Sequence, residues 1–349
     1  MSIAPRLPRR ALLGGLGAIA VGSALTACGS EQAAPPAAPT GPSLASPTPA
    51  TDGARLDRFI TQVHDAIAAA DKAKDPKKLA PRVVGSAVEF RTRTYEMIGK
   101  AEAWASQLSL PGSEVLVPMT SVGEDFPRAA LALVADSQKD GIPYFVALQQ
   151  KDARSPYATW GWARQAVGIT MPKVENQSVG AAPVAGDDDS LILAPAAAIA
   201  LYAKVLSDGS AADPKQLLAA DPYMTKVHEQ IQTERKDINT GVQHDEAATI
   251  KEVYTVRKGE YAGLHTDDGG AIVMATLDST RRLTLRNGAT LTTGDELKDY
   301  TDLIGEKRFT KEFVRTYGTT IALYIPTRDS GGKIQPIGAT RYALGASGS

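Results

Sequence analysis

The chain has 349 residues, 38 basic against 39 acidic side chains, 43 % hydrophobic residues and one cysteine. This balance excludes a polyelectrolyte partner, because a nucleic-acid binder carries a clustered basic surface with aromatics or a recognisable motif, and neither occurs here. One cysteine excludes an intramolecular disulfide, and four histidines leave a thin inventory of bases and metal ligands.

Arg6, Arg9 and Arg10 open the chain, and the 17 residues 11–27 that follow carry no charge and are rich in Gly and Ala. That run is shorter and less apolar than the roughly 20 residues of a membrane-spanning helix. It closes on Leu25-Thr26-Ala27-Cys28, a small-residue cut site with the sole cysteine behind it. These are the parts of a secretory signal, and the last four residues resemble the lipobox of bacterial lipoproteins. The resemblance implies that residues 1–27 are removed, that the Cys28 thiol takes a diacylglyceryl group, and that membrane lipid holds the protein at the extracytoplasmic face. Two acyl chains anchor far more firmly than one. Arg9-Arg10-Ala11-Leu12-Leu13 also resembles the twin-arginine export signal, with general secretion as the other route. Loss of three arginines and no acids leaves 35 basic against 39 acidic residues.

Residues 28–53 read as a linker, with prolines at 35, 36, 39, 42, 47 and 49 and Leu44 the only large apolar side chain. Such a stretch cannot bury enough surface to fold. Its residues 29–52 would span about 25 Å as a coil and about 75 Å as a polyproline helix.

The remainder is long enough for two cores, and it is read as an α+β chain of two tandem domains, 54–172 and 191–345, with a loop at 173–190 and a tail at 346–349. Leu56, Phe59, Ile60, Val63 and Ile67 share one helical face, with Thr51 or Asp52 as cap. A second helix is expected over 84–98. Strands are expected over 114–121, 129–136, 142–150 and 157–167, separated by turn signals such as Asp140-Gly141 and Ser155-Pro156. Successive strands with short connections make an antiparallel sheet, which the helices must cover on one face.

The same order restarts with helices over 195–206 and 222–238, then strands near 249–257, 271–277, 282–286, 316–326 and 334–344. Asp75-Pro76-Lys77-Lys78-Leu79 and Asp213-Pro214-Lys215-Gln216-Leu217 match at four of five positions with an offset of 138, as an internal duplication would give. The element order resembles the cystatin-like or nuclear-transport-factor-like architecture. With the lipobox and linker, the chain also resembles actinobacterial-type lipoproteins with an uncharacterised tandem α+β part. That resemblance implies location and fold and carries no catalytic residues.

No Gly-x-Ser-x-Gly elbow, phosphate loop or His-Glu-x-x-His motif occurs. His64 and His228 border apolar helical stripes as half-buried rings, and His244 lies in a polar loop. His265, followed by Asp267 and Asp268, is the sharpest acid-base or cation candidate, but Asp267-Asp268-Gly269-Gly270 also supplies the residues of a tight hairpin turn. Asp187-Asp188-Asp189 lacks the spaced glycine and distal glutamate of a calcium loop. Lys74, Lys77 and Lys78, and Arg281, Arg282 and Arg286, read as solvated faces or contacts to anionic headgroups. No catalytic residue, metal or cofactor is assigned.

On a regular strand Trp160 and Trp162 would point to one face, with a slot over Gly161 between them. They either pack as core or line a ligand pocket, with Trp104 beside them. The expected function is that of a membrane-anchored envelope lipoprotein, a non-enzymatic binding or scaffold protein for an envelope protein or an apolar small molecule. The alternatives are a hydrolase or isomerase using His265, and a structural spacer.

Overall fold

The computed structural model of the protein describes residues 48–123 and 125–349. Cys28, the signal segment and most of the linker lie outside them. Helix α1 (Gly53–Ala73) starts at Asp52, whose carboxylate accepts the Arg55 N–H at 2.8 Å, and ends at Lys74 in the left-handed conformation. Its stripe of Leu56, Ile60, Val63 and Ile67 is buried, as the spacing predicts. With α2 (Gly85–Ile98) it covers one face of an antiparallel sheet built from β1 (Pro111–Thr120), β2 (Arg128–Asp136), β3 (Tyr144–Gln150) and β4 (Ala158–Arg164), in that order.

The second half runs through α3 (Pro195–Asp208), α4 (Pro222–Ile238), β5 (Ala248–His265) and β6 (Ala271–Leu285). An excursion of β7 (Leu291–Thr292), α5 (Lys298–Ile304) and β8 (Arg308–Phe309) precedes β9 (Glu312–Ile325) and β10 (Gln335–Gly348). The second antiparallel sheet has the order β10-β9-β6-β5. The fold is α+β with two sheet-bearing parts. Strands expected separately over 271–277 and 282–286 are one strand, β6. Strand β5 passes the polar residues 257–260 as a bulge, with Val256 opposite Leu277 and Tyr261 opposite Ala275.

The inner faces of the two sheets pack on each other. Leu131, Leu133, Phe145 and Trp160 of the first sheet share a cluster with Leu264, Ile272, Met274, Ala322 and Ile337 of the second. On the far side, α3 covers the second sheet through Ile199, Tyr202 and Leu206. The order of layers is helix, sheet, sheet, helix. The strands of the second sheet outrun the first, and there Tyr342 joins the cluster around Phe90 of α2.

Both seams between the sheets are closed by backbone hydrogen bonds. Ala166 donates to Ile337 O at 2.8 Å. In the segment expected as an interdomain loop, Ala181 donates to Thr120 O at 2.8 Å, and Ala182 O accepts from His265 N at 2.9 Å. The chain division at 173–190 therefore separates sheets and not cores, and all described residues belong to one compact unit. Each half repeats one local device. Asp75 accepts the Lys77 N–H and Asp213 accepts those of Leu217 and Leu218. Val83 then bridges Thr159 and Leu218 bridges Ile334, both in parallel. Among the described residues no helix is long and apolar enough to cross a membrane.

Candidate functional site

The tryptophan slot does not form. Leu148 pairs with Thr159 and Ala147 with Gly161, so Trp160 is an extra residue bulged out of β4. One extra residue reverses the alternation. Trp160 packs between the sheets and Trp162 under the helices. The Thr159 hydroxyl holds the bulge, accepting from Gly161 N at 3.2 Å and donating to Gly161 O at 3.1 Å. Gly161 faces Thr320 of the other sheet.

Trp104 lies elsewhere. The short 3-10 helix Glu102–Gln107 passes the outer edge of β10, where Gln107 Oε1 accepts the edge N–H of Ala343 at 2.6 Å. The indole thereby reaches the helix side of the second sheet, edge-on to Tyr300 with ring centroids 5.0 Å apart. There a cavity of about 820 Å³ lies between this segment, α4 and the start of α5. Its floor is Arg281 of β6, Arg315 and Tyr317 of β9, and Arg341 of β10. A second cavity of about 440 Å³ adjoins it, sharing Gln107, Lys226, Gln230 and Arg341. Both sizes fall in the range of ligand pockets.

The floor holds five buried or half-buried charges. Glu252 of β5, 1 % exposed, accepts from Ser279 at 2.6 Å, Arg281 Nε at 2.7 Å and Arg341 Nη2 at 2.7 Å. Burial pushes its carboxyl up, but Arg341 and Arg281 outweigh burial and hold it below the usual 4.5. Glu234 of α4 bridges Arg281, at 2.6 Å, and Arg315. The Arg341 guanidinium lies 3.6 Å from the centre of the Tyr317 ring. Three arginines thus face two glutamates.

Among the described residues, Arg281 Nη2, Arg315 Nε, Arg341 Nε, Trp104 Nε1 and Gln107 Nε2 are buried without hydrogen-bond partners. All five belong to residues lining the larger cavity, and all are donors. Buried polar groups are ordinarily satisfied, and the gathering of five such donors in residues around one concavity of ligand size makes it the candidate site.

The sequence places Arg281 on a solvated basic face or against anionic headgroups, and the structure corrects both. Arg281 is 2 % exposed, because it takes the apolar parity of β6 between Leu277 and Leu283. The site passed unnoticed in sequence because its residues come from β5, β6, β9, β10 and α4, with no local spacing to bring them together. The available signal was charge at positions where alternation demands an apolar side chain.

His265 stands at the end of β5. Its Nδ1 meets Gly270 O at 3.1 Å and its Nε2 meets Asp188 Oδ2 at 3.2 Å. Asp268 instead folds the turn, accepting from Thr266 Oγ1 at 2.6 Å, Gly270 N at 3.1 Å and Tyr324 OH at 2.7 Å. His64 and His228 contact the carbonyls of Pro111 and Leu206. Among the described residues no group of three His, Cys, Asp or Glu is placed to hold a metal ion.

Fold and site together define an α+β protein of two fused sheet-bearing halves, with an arginine-floored cavity where a segment of the first half folds over the second. The chain belongs to the DUF8094 family, a domain of unknown function, whose model matches residues 47–348. No curated protein and no solved structure matches it.

Proposed function

We propose that this chain is a membrane-anchored extracytoplasmic lipoprotein of the cell envelope that binds a ligand or partner without transforming it, and that the cavity beneath α4 is its binding site. The observation that carries the reading is the one-sided set of buried donors on that cavity. A binder needs unmet hydrogen-bonding capacity in a concave site. The hydrolase or isomerase reading rests on His265 as its acid-base group, and His265 lies outside the cavity lining with both ring nitrogens engaged. The anchor rests on the lipobox-like Leu25-Thr26-Ala27-Cys28, and the linker would hold the folded part away from the bilayer.

Two measurements on the full chain in its own host test the reading. Cys28→Ser should release the protein from membranes or leave an uncleaved precursor, and unchanged processing and retention would refute the anchor. Native mass spectrometry of the detergent-extracted chain should show a co-purifying mass that Trp104→Phe weakens. A mass retained equally by both chains would remove the cavity from the account.

A further inference from the structure

We infer that the ligand of this cavity carries one oxyanion, a carboxylate or phosphoryl group, seated against Arg281, Arg315 and Arg341, and that the rest of it is neutral or cationic. The inference rests on the cavity being the binding site and adds the ligand's chemical class.

Charge is the first argument. Arg281 and Arg315 have side chains only 3 % and 4 % exposed, and Glu252 is fully buried. Glu252 is saturated by Ser279, Arg281 and Arg341, which leaves Glu234 to answer for the remaining positive charge. The floor itself carries one cation in excess, although the whole lining, with Glu229, Asp237, Glu296, Asp299 and Lys226, does not; an anion seated on the floor answers that local excess. Hydrogen-bond polarity is the second, independent argument. The five unpartnered atoms belong to lining residues but are themselves out of solvent contact, so a ligand meets them as those side chains turn toward the cavity; they come from three guanidiniums, an indole and a carboxamide NH2. Only an acceptor-rich group answers such a set, and an oxyanion offers several lone pairs to forked donors.

The rim limits what else the ligand carries. The exposed Glu229, Asp237 and Glu296 and the half-buried Asp299 also line the cavity, against the exposed Lys226. Those acids repel a second negative charge and attract a cation. A compact anion deep in the cavity with an amine toward the mouth matches the charge at both levels, and a polyanion does not.

The test is isothermal titration of the detergent-solubilised full chain with phosphoethanolamine, ethanolamine, inorganic phosphate and pyrophosphate. Phosphoethanolamine should bind, ethanolamine should give no heat, and pyrophosphate should bind more weakly than phosphate despite its larger charge. Trp104→Phe keeps an aromatic side chain but trims the indole and removes its donor, and should weaken phosphoethanolamine by at least about tenfold, the worth of one hydrogen bond to a charged group. Arg315→Gln should weaken it at least as much. The double variant Glu296→Gln/Asp299→Asn changes only the rim and should narrow the gap between phosphate and pyrophosphate. Short-chain phosphatidylethanolamine in the same detergent separates the sources: displacement at lower concentration than soluble phosphoethanolamine assigns a lipid headgroup, and the reverse assigns a free solute.

Equal binding of ethanolamine and phosphoethanolamine, tighter pyrophosphate than phosphate, or no heat from any probe would overturn the ligand class while leaving the cavity as a site. Phosphoethanolamine binding untouched by Trp104→Phe and Arg315→Gln would overturn the cavity as well.

Discussion

Arg341 and Glu252 are hydrogen-bonded at 2.7 Å although they stand on opposite edge strands of the second sheet. Between them lie β6 and β9, whose Ser279 and Arg281 complete the Glu252 shell and whose Tyr317 carries the Arg341 guanidinium on its ring. Ion pair and ring contact together fix the floor of the cavity across the full width of the sheet.

Removing the central carboxylate should therefore be severe. Glu252→Ala leaves Arg281 and Arg341 buried without their shared counter-ion, and breaking a buried pair in this way costs about 3–5 kcal/mol. Urea denaturation should show the midpoint falling with an unchanged slope. A loss under about 1 kcal/mol would mean that solvent already screens the cluster, as it screens exposed pairs.

Acid should weaken the same cluster. The folded Glu252 carboxyl lies below its usual 4.5, since Arg341 and Arg281 outweigh burial. A depressed carboxylate stabilises the fold above the unfolded value and loses that contribution as pH falls through the folded one. Thermal unfolding followed from pH 7 to pH 3 should keep this contribution down to about 4.5 and lose it below. In Glu252→Gln that part of the pH dependence should vanish.

The two halves should resist separation. A Cβ at Gly318 of β9 would lie 2.1 Å from Phe90 Cζ of α2, and Phe90 is 2 % exposed. Gly318→Ala should cost about 1–3 kcal/mol through overpacking. Phe90→Leu in the same chain should return part of that loss, since residues in contact are not additive. Far-ultraviolet and tryptophan signals should melt together in every variant, because the sheets share one core; two separated transitions would contradict that packing.

Asp221 caps α4, the helix that roofs the cavity, by accepting the Met224 N–H at 2.9 Å. Burial raises its carboxyl despite that bond. Asp221→Asn keeps the acceptor and sheds the buried charge, so its stability at pH 7 should stay within about 1 kcal/mol of the parent. Asp221→Ala should lose about 1 kcal/mol or more, measured by thermal unfolding, and a loss in Asp221→Asn as large as in Asp221→Ala would mean that the charge itself stabilises α4.

Much of the scaffold was legible because its signals are local. The Leu56–Ile60–Val63–Ile67 stripe, the Asp52 cap and the alternation of the first four strands appear where periodicity puts them. The bulge at Trp160 was not legible, since nothing in Thr-Trp-Gly-Trp distinguishes a regular strand from one with an extra residue. Nor was the bulge at 257–260, whose polar residues read as a strand end. The cavity was least visible of all: Arg281, Arg315, Arg341, Glu234 and Glu252 are brought together by register over more than a hundred residues of sequence. In sequence each is an ordinary charge, and only its parity within a strand marks Arg281 or Glu252 as inward-facing.

Hydrogen-deuterium exchange of the full chain, with and without saturating phosphoethanolamine, tests most directly whether the cavity beneath α4 is the binding site. Slower exchange confined to residues 102–109, 226–237 and 296–301 is the expected result. Unchanged exchange in those three segments, or protection at another surface such as 168–173, would contradict it.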